Sequence, residues 1–296
     1  MPTVPFVVTG ASGFVGSRLV RELGAAHEAV ALGAGDWRER VARASFEGAV
    51  VLHLAARAHR RGSEDEFAFD NVAKTRELAR AAARGGARRF VFLSSIKVNG
   101  EETTGRPFTP SDAPAPLDAY GRSKRDAEAA LREEAANGRM EAVVVRSPLV
   151  YGAPLKGHLA TLVRACDTPL PMPFAAVSNR RSFVDVSDLC AALLRAAEAP
   201  RAPGNTYLVA HRESISTPQL ISHVRDALGR ARNLYSVAPG LLEALASACG
   251  KGSTMKRLTR SLEADPSLAE RDLAWSARVN ARESIERMVR SYRERS

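Results

Sequence analysis

Cysteine is scarce: Cys166, Cys190 and Cys249 are the only three in 296 residues. They are odd in number and far apart, without the close pairs that build a zinc site or a disulfide framework. Reduced thiols, a cytoplasmic location and no metal centre are the resulting expectations. Aromatic residues make up only 6% of the chain, which leaves no visible stacking platform for RNA. No apolar run approaches the ~18 residues of a membrane span, and the start, Met1-Pro2-Thr3-Val4-Pro5, puts no basic segment ahead of a sustained apolar stretch. Secretion, membrane spanning and nucleic-acid binding are therefore disfavoured. Acidic residues are outnumbered, 33 against 43 Lys plus Arg, for a net charge of +10, and this surplus favours anionic partners. Most arginines nevertheless interleave with Ala, Leu and Glu at helical spacing, the pattern of solvated helix faces.

With 45% hydrophobic residues, the length suits one large domain, or a main domain with a smaller lobe. Pro5 to Thr9 reads as a strand running into Gly10-Ala11-Ser12-Gly13-Phe14-Val15-Gly16 and then a helix carrying Leu19, Val20 and Leu23. Further strands are predicted at Ala29–Leu32, Ala49–Leu54, Phe90–Ser94 and Ala142–Arg146, with helices over 37–45, 65–85 and 118–137 between them. This alternation predicts an α/β fold, a Rossmann-like doubly wound parallel sheet covered on both faces. After Pro148 come proline-rich loops, a helix over 186–198 and a strand over 205–210. Residues 1–150 are read as the dinucleotide-binding domain, and 151–296 mainly as a smaller C-terminal substrate lobe, with some segments returning to the sheet.

Gly10, Gly13 and Gly16 sit between a strand and a helix. Such spacing permits a tight turn and lets a pyrophosphate approach bare N–H groups at a helix N-terminus. NAD or NADP is the expected cofactor. The acid expected after the second strand, which would bind the ribose hydroxyls of NAD, is not clearly present: Asp36 is followed by Arg38 and Arg40, which suit a 2′-phosphate. The stretch up to His53 is also short for a further strand.

Tyr120 and Lys124 are four residues apart on a predicted helix, hence neighbours on one face. An ammonium group and a cationic nicotinamide both favour the phenolate, so Tyr120 could exchange a proton with a sugar hydroxyl while hydride moves at the carbon. Ser95, at the end of the Phe90–Ser94 strand, lies on the ligand-binding edge and can hydrogen-bond the same oxygen. His53 reads as a packing residue at a strand end.

Together these pieces resemble the extended short-chain dehydrogenases/reductases of the nucleotide-sugar epimerase/dehydratase family. The resemblance is carried by Thr9 to Gly16, His53-Leu54-Ala55-Ala56, Asn71-Val72, Leu93-Ser94-Ser95, Tyr120 with Lys124, Val150-Tyr151-Gly152 and Arg181 to Val186, in order. It implies that Ser95, Tyr120 and Lys124 are catalytic. It implies a cofactor site of Gly10, Ser12, Gly13, Phe14, Val15, Gly16, Asp36, Leu54, Ala55, Ala56, Asn71, Leu93, Ser94, Pro148 and Val150, besides Tyr120 and Lys124. For a nucleotide-sugar substrate, UDP-linked by resemblance, it implies Ser95, Lys97, Tyr120, His158, Arg181 and Arg257, with the forked Arg181 on the diphosphate. A homodimer is compatible with the resemblance and not required by it.

Sugar-nucleotide 4,6-dehydratases of the family carry Thr-Asp-Glu where this chain has Ser95-Ile96-Lys97. Ile96 and Lys97 cannot supply the acid pair that eliminates water. The resemblance leaves a 4-epimerase of a UDP-hexose or UDP-N-acetylhexosamine, or a 4-reductase of a UDP-4-keto-6-deoxy-hexosamine. Asn99 stands where the family commonly has Tyr. A non-catalytic NADP-sensing or RNA-binding protein would use the glycine loop and the charge, but it would not need Ser95, Tyr120 and Lys124 together.

Overall fold

The computed structural model describes residues 5–25, 27–31, 35–58, 62–153, 155 and 157–294, the last segment without the side chain of His158. In the N-terminal half, β1 (Phe6–Thr9) leads through the glycine loop into α1 (Phe14–Leu23), then β2 (His27–Val30), α2 (Trp37–Arg43) and β3 (Val50–His53). A segmented helix follows: α3 (Glu64–Phe67), a π-helical turn over Ala68–Ala73, and α4 (Lys74–Arg84). Next come β4 (Arg89–Ser95), a 3-10 turn over Ile96–Val98, α5 (Ala119–Ala136) and β5 (Glu141–Ser147). The second half holds β6 (Leu149–Tyr151), α6 (Gly157–Cys166), β7 (Phe183–Asp185), α7 (Val186–Glu198) and β8 (Thr206–Leu208). The helices α8 (Thr217–Leu228), α9 (Pro239–Ala248), α10 (Gly252–Thr259), α11 (Ser267–Leu273) and α12 (Ala281–Arg293) complete it.

Six strands form one parallel sheet in the order β2-β1-β3-β4-β5-β8. Successive side chains on a strand point to opposite faces, and the two cores follow that period. Val8, Leu52, Val91, Val143 and Val145 pack with Leu19 of α1 and with Leu189, Leu193 and Ala196 of α7. Val7, Val51, Phe90, Phe92 and Val144 pack on the other side with Trp37 and Val41 of α2, Leu78 and Ala82 of α4, and Ala127 and Leu131 of α5. Near-continuous apolar strands are what a sheet buried on both faces requires. The expected Rossmann-like fold is therefore the one observed.

The second strand begins two residues earlier than the apolar run suggests and is described as far as Val30; its predicted end at Leu32 lies outside the described residues. Among the described residues between β2 and β3 there is only α2, and no further strand beyond β2. The helix predicted over 65–85 is three pieces, because the turn at Ala68–Ala73 is wound to π geometry.

Two short strands escaped the sequence reading: β6 and β7 pair in parallel beyond the main sheet. They carry Tyr151 and Phe183 into a third core with Val163 of α6, Ile221 and Val224 of α8, and Ile285 and Met288 of α12. From this lobe the chain crosses back repeatedly: α7 covers the main sheet, β8 extends it, and Leu273 and Trp275 pack into the core beneath α7. The Trp275 Nε1–H donates to the Asp188 carbonyl at 2.9 Å.

Candidate active site

The glycine loop is built by close approach. Gly10 has φ +74°, and a Cβ there would come within 2.7 Å of the Ala55 nitrogen, so the end of β1 presses against the residues after β3. A Cβ on Gly16 would fall 2.0 Å from the Gly10 carbonyl oxygen. The Gly13 N–H closes the turn on that oxygen at 2.9 Å. Helix α1 then starts with no side-chain cap and no acid in its first turn, and Ser12 and Gly13 are exposed. Its N-terminal N–H groups and dipole thus stay available to an anion.

Ser95 ends β4, and Tyr120 and Lys124 occupy successive turns at the start of α5, so two elements meeting at one sheet edge carry the trio. Lys124 is buried. Its Nζ donates to the Leu93 carbonyl at 2.7 Å and lies 3.9 Å from the centre of the Phe92 ring. Burial pulls its pKa down to about 7, against the opposing charge of Glu128. Burial likewise pushes the Tyr120 phenol up to about 12, opposed by a hydrogen bond with Ser95 and aided by the charge of Asp118. Desolvation thus outweighs the Ser95 hydrogen bond, and Tyr120 holds its proton at neutral pH.

His53, at the end of β3, is held by two threonines, with Nδ1 2.5 Å from Thr9 Oγ1 and Nε2 2.8 Å from Thr75 Oγ1. It stacks on Phe92 at 5.4 Å, and burial, with Lys124 nearby, lowers its pKa to about 3. A permanently neutral ring in this setting is a packing residue. Thr75 in turn donates to the Asn71 carbonyl at 2.6 Å. The Asn71 side chain accepts from the Arg57 N–H at 2.7 Å and donates to Ser123 Oγ at 2.9 Å, tying the segment after β3 to α5. The π-helical turn is what aims Asn71 this way, since an extra residue rotates the face that follows.

The model of the NAD dependent epimerase/dehydratase family matches residues 6–210, the stretch that contains all of these residues. The chain belongs to that family. A UDP-glucose 4-epimerase of Vibrio cholerae is 31% identical to it over 310 residues, covering 97% of this chain and 94% of the relative. A dTDP-4-dehydrorhamnose reductase of Mycobacterium tuberculosis is 33% identical over 217 residues, 65% of this chain and 66% of the relative. The solved structure of the Bordetella bronchiseptica enzyme WbmG in complex with NAD and UDP superposes with a TM-score of 0.78 at 23% identity, covering 98% of this chain and 94% of that one, and supports the fold.

In this epimerase/dehydratase the remaining expected cofactor residues, Leu54 to Ala56, Leu93, Ser94, Pro148 and Val150, lie at or just beyond the C-terminal ends of β3, β4 and β5, the edge where such sheets bind ligands. Asp36 lies past β2, half-exposed, 2.9 Å from Arg40. Arg38 is paired with Glu77 at 3.0 Å.

Lys97 is engaged within the protein: its ammonium pairs with Glu101 at 2.8 Å and with Asp118. Arg181 and Arg257 are different. Arg181 donates from Nη1 to the Arg260 carbonyl at 3.0 Å, and no carboxylate of the described residues forms an ion pair with it. Burial and the neighbouring Arg257 bring its pKa down to about 10, with Glu101 opposing. The Arg257 Nε is buried without a hydrogen-bond partner. Arg260, by contrast, is fully paired with Glu102 at 2.5 Å and Glu243 at 2.9 Å. The His158 side chain lies outside the described residues.

The sequence reading missed a buried network behind Ser95 in this family member. Glu128 takes both arms of Arg146, at 2.9 and 2.6 Å, and accepts from Ser94 Oγ at 2.5 Å. Arg146 also donates to Asn99 Oδ1 at 3.1 Å, which gives Asn99 a place of its own where the family commonly has Tyr. The available signal was the four-residue step from Lys124 to Glu128, which continues the Tyr120 face of α5.

Proposed function

We propose that this epimerase/dehydratase is an NAD(P)-dependent nucleotide-sugar 4-epimerase acting at C4 of a UDP-hexose or UDP-N-acetylhexosamine. The observation that carries the reading is the presence of Ser95, Tyr120 and Lys124 at the sheet edge together with two partly buried arginines, Arg181 and Arg257, that form no ion pair with a carboxylate among the described residues. Two like charges left unpaired in a half-buried place are stabilised by a polyanion, and a forked guanidinium suits a diphosphate. The glycine loop meets the steric test for a dinucleotide, since a methyl on Gly16 would fill the space that its turn needs. Gly10, Gly13 and the first turn of α1 would hold the pyrophosphate, with Leu54 to Ala56, Asn71 and Val150 around the remainder.

A nicotinamide cofactor held by the glycine loop would supply the chemistry of hydride transfer at C4. The protein supplies the proton traffic. Tyr120 exchanges a proton with the C4 oxygen, Ser95 hydrogen-bonds that oxygen, and Lys124 provides a positive charge that favours the phenolate once the site is filled. Because burial pushes the phenol up to about 12, removal of the sugar proton is the step that depends on a cationic neighbour. Lys97, tied to Glu101 and Asp118, leaves no acid pair for elimination of water.

The protonated resting state of Tyr120 also suits a second reading, NAD(P)H-dependent 4-reduction of a UDP-4-keto-6-deoxy-hexosamine, in which Tyr120 only donates. The two readings separate in one experiment. The protein is incubated with UDP-glucose, UDP-galactose and their N-acetyl counterparts without added reductant, and the anomeric protons are followed by NMR. Interconversion supports the epimerase, because an epimerase regains its oxidised cofactor in each turnover. If all four sugars persist while a UDP-4-keto-6-deoxy sugar oxidises added NAD(P)H, the reductase reading replaces it.

A further inference from the structure

Lys97 touches the catalytic elements in three ways. Its backbone N–H donates to Ser95 Oγ at 3.3 Å. Its carbonyl oxygen lies 2.9 Å from where a Cβ on Gly121 would be, so only a glycine lets the first turn of α5 come this close. Its ammonium pairs with Asp118, the residue whose carboxylate caps α5 by accepting the Gly121 N–H at 2.7 Å. The same two segments are joined once more where the Ala115 N–H meets the Val98 carbonyl at 3.0 Å. Lys97 lies two residues after Ser95, and Asp118 two residues before Tyr120. Their ion pair therefore joins the segment that follows Ser95 to the start of the helix that carries Tyr120.

We propose that Lys97 is a positioning residue of the reaction: through Asp118 it holds the first turn of α5 against the residues that follow Ser95, and it offsets the negative charge two residues before Tyr120. The charged groups around this point are few. Asp118 caps α5, Arg122 and Lys124 lie on it, and Lys97 and Glu101 are on the segment after β4. From α3, Glu64 is held by Arg122, and Phe67 presents an apolar ring 6.4 Å from that of Tyr120. His53 of β3 is neutral. Asp118 is thus the negative group that raises the phenol's pKa, and Lys97 is its partner. A like charge nearby favours the neutral phenol, and a compensating cation reverses that effect. The role rests on Tyr120 being the proton-exchanging group proposed above, and it separates Lys97 from a direct contact to the substrate.

The test uses protein labelled at tyrosine Cζ with carbon-13 and saturated with NAD; the chain has five tyrosines, and Tyr120→Phe assigns the signal. Lys97→Met is expected to raise the apparent titration midpoint of Tyr120, and Asp118→Asn, which keeps a capping oxygen, to lower it, each by roughly half a unit to one unit. The double variant should return close to the unmodified protein. In turnover, Lys97→Met should lower kcat about tenfold with KM within about twofold, and Lys97→Arg should restore most of it. Shifts of the same sign in both single variants, coincident midpoints, or a Tyr120 that stays protonated to pH 10 in every variant overturn the proposal. A loss of Lys97→Met expressed in KM alone makes Lys97 a substrate contact instead. The NMR titration needs no sugar. A protein that turns over no nucleotide sugar therefore overturns the function proposed above, while the titration still decides the role of Lys97.

Discussion

At the residue scale, burial governs the chemistry of the trio more than proximity does. The Tyr120 phenol sits high because its surroundings desolvate the charged form, and Lys124 sits low for the same reason. Tyr120→Phe keeps the ring and its packing on Phe67 while removing the phenolic proton, so cofactor affinity should persist and turnover should fall by about 10² or more; calorimetry and steady-state rates check the two halves. Lys124 makes a second, independent prediction. Its native pKa of about 7 lies below the ~10.4 of an unfolded lysine. The unfolded chain thus holds a proton over that interval which the native protein lacks, and this group's contribution to stability rises with pH from about 7 to ~10.4. Below 7 the cost of burying the ammonium is present in full. Lys124→Met should accordingly be more stable than the unmodified protein near neutral pH by ~1–4 kcal/mol, a gap that closes toward pH 10; urea titrations at the two pH values measure it, and a constant gap would contradict the buried-charge account.

At the scale of elements, the sequence was most readable where one short-range rule acts alone. The strands β1, β3, β4 and β5 and the helices α5 and α7 are visible because apolar runs and 3.6-residue periodicity mark them, and the glycine loop because its spacing is local. The π-helical turn at Ala68–Ala73 could not be seen: its residues carry helical periodicity, and the extra residue shows only in which side chain meets Ser123. The strands β6 and β7 are three residues each, too short to display a period of two. Lys97 with Asp118, and Arg181 with Arg257, are pairings across sequence distance, and the sequence marks their members without marking their partners. The glycine loop predicts that Gly16→Ala forces the turn open and weakens dinucleotide binding by more than about tenfold, or ~1.4 kcal/mol, which a direct titration with NAD reads. On α2, Arg38 and Arg40 spend their charge on exposed carboxylates, ties that are worth little in water and yield to a stronger anion. NADP should consequently bind within about a hundredfold of NAD, ~2.7 kcal/mol; a wider preference for NAD measured by calorimetry assigns the missing ribose acid to Asp36.

At the scale of the whole molecule, the C-terminal half of the chain divides between the third core and the main sheet. The segments after β5 alternate between lobe and sheet, and Leu273 and Trp275, late in the chain, pack into the core beneath α7. Trp275 is 4% exposed and anchored by its Nε1–H on the Asp188 carbonyl, so Trp275→Ala should cost about 3–5 kcal/mol in a urea titration, even though it lies outside the stretch 6–210 that the family model matches. The same arrangement bears on how the protein is made. A ribosome releases the glycine loop and Ser95, Tyr120 and Lys124 well before residues 273 and 275, while the floor under α7 is still open. The nascent chain thus holds an apolar sheet face without this cover until Leu273 and Trp275 have emerged, a state prone to aggregation, and chaperones that bind exposed apolar surface should engage chains stalled with only residues up to about 260 exposed more than chains in which both residues are free to pack.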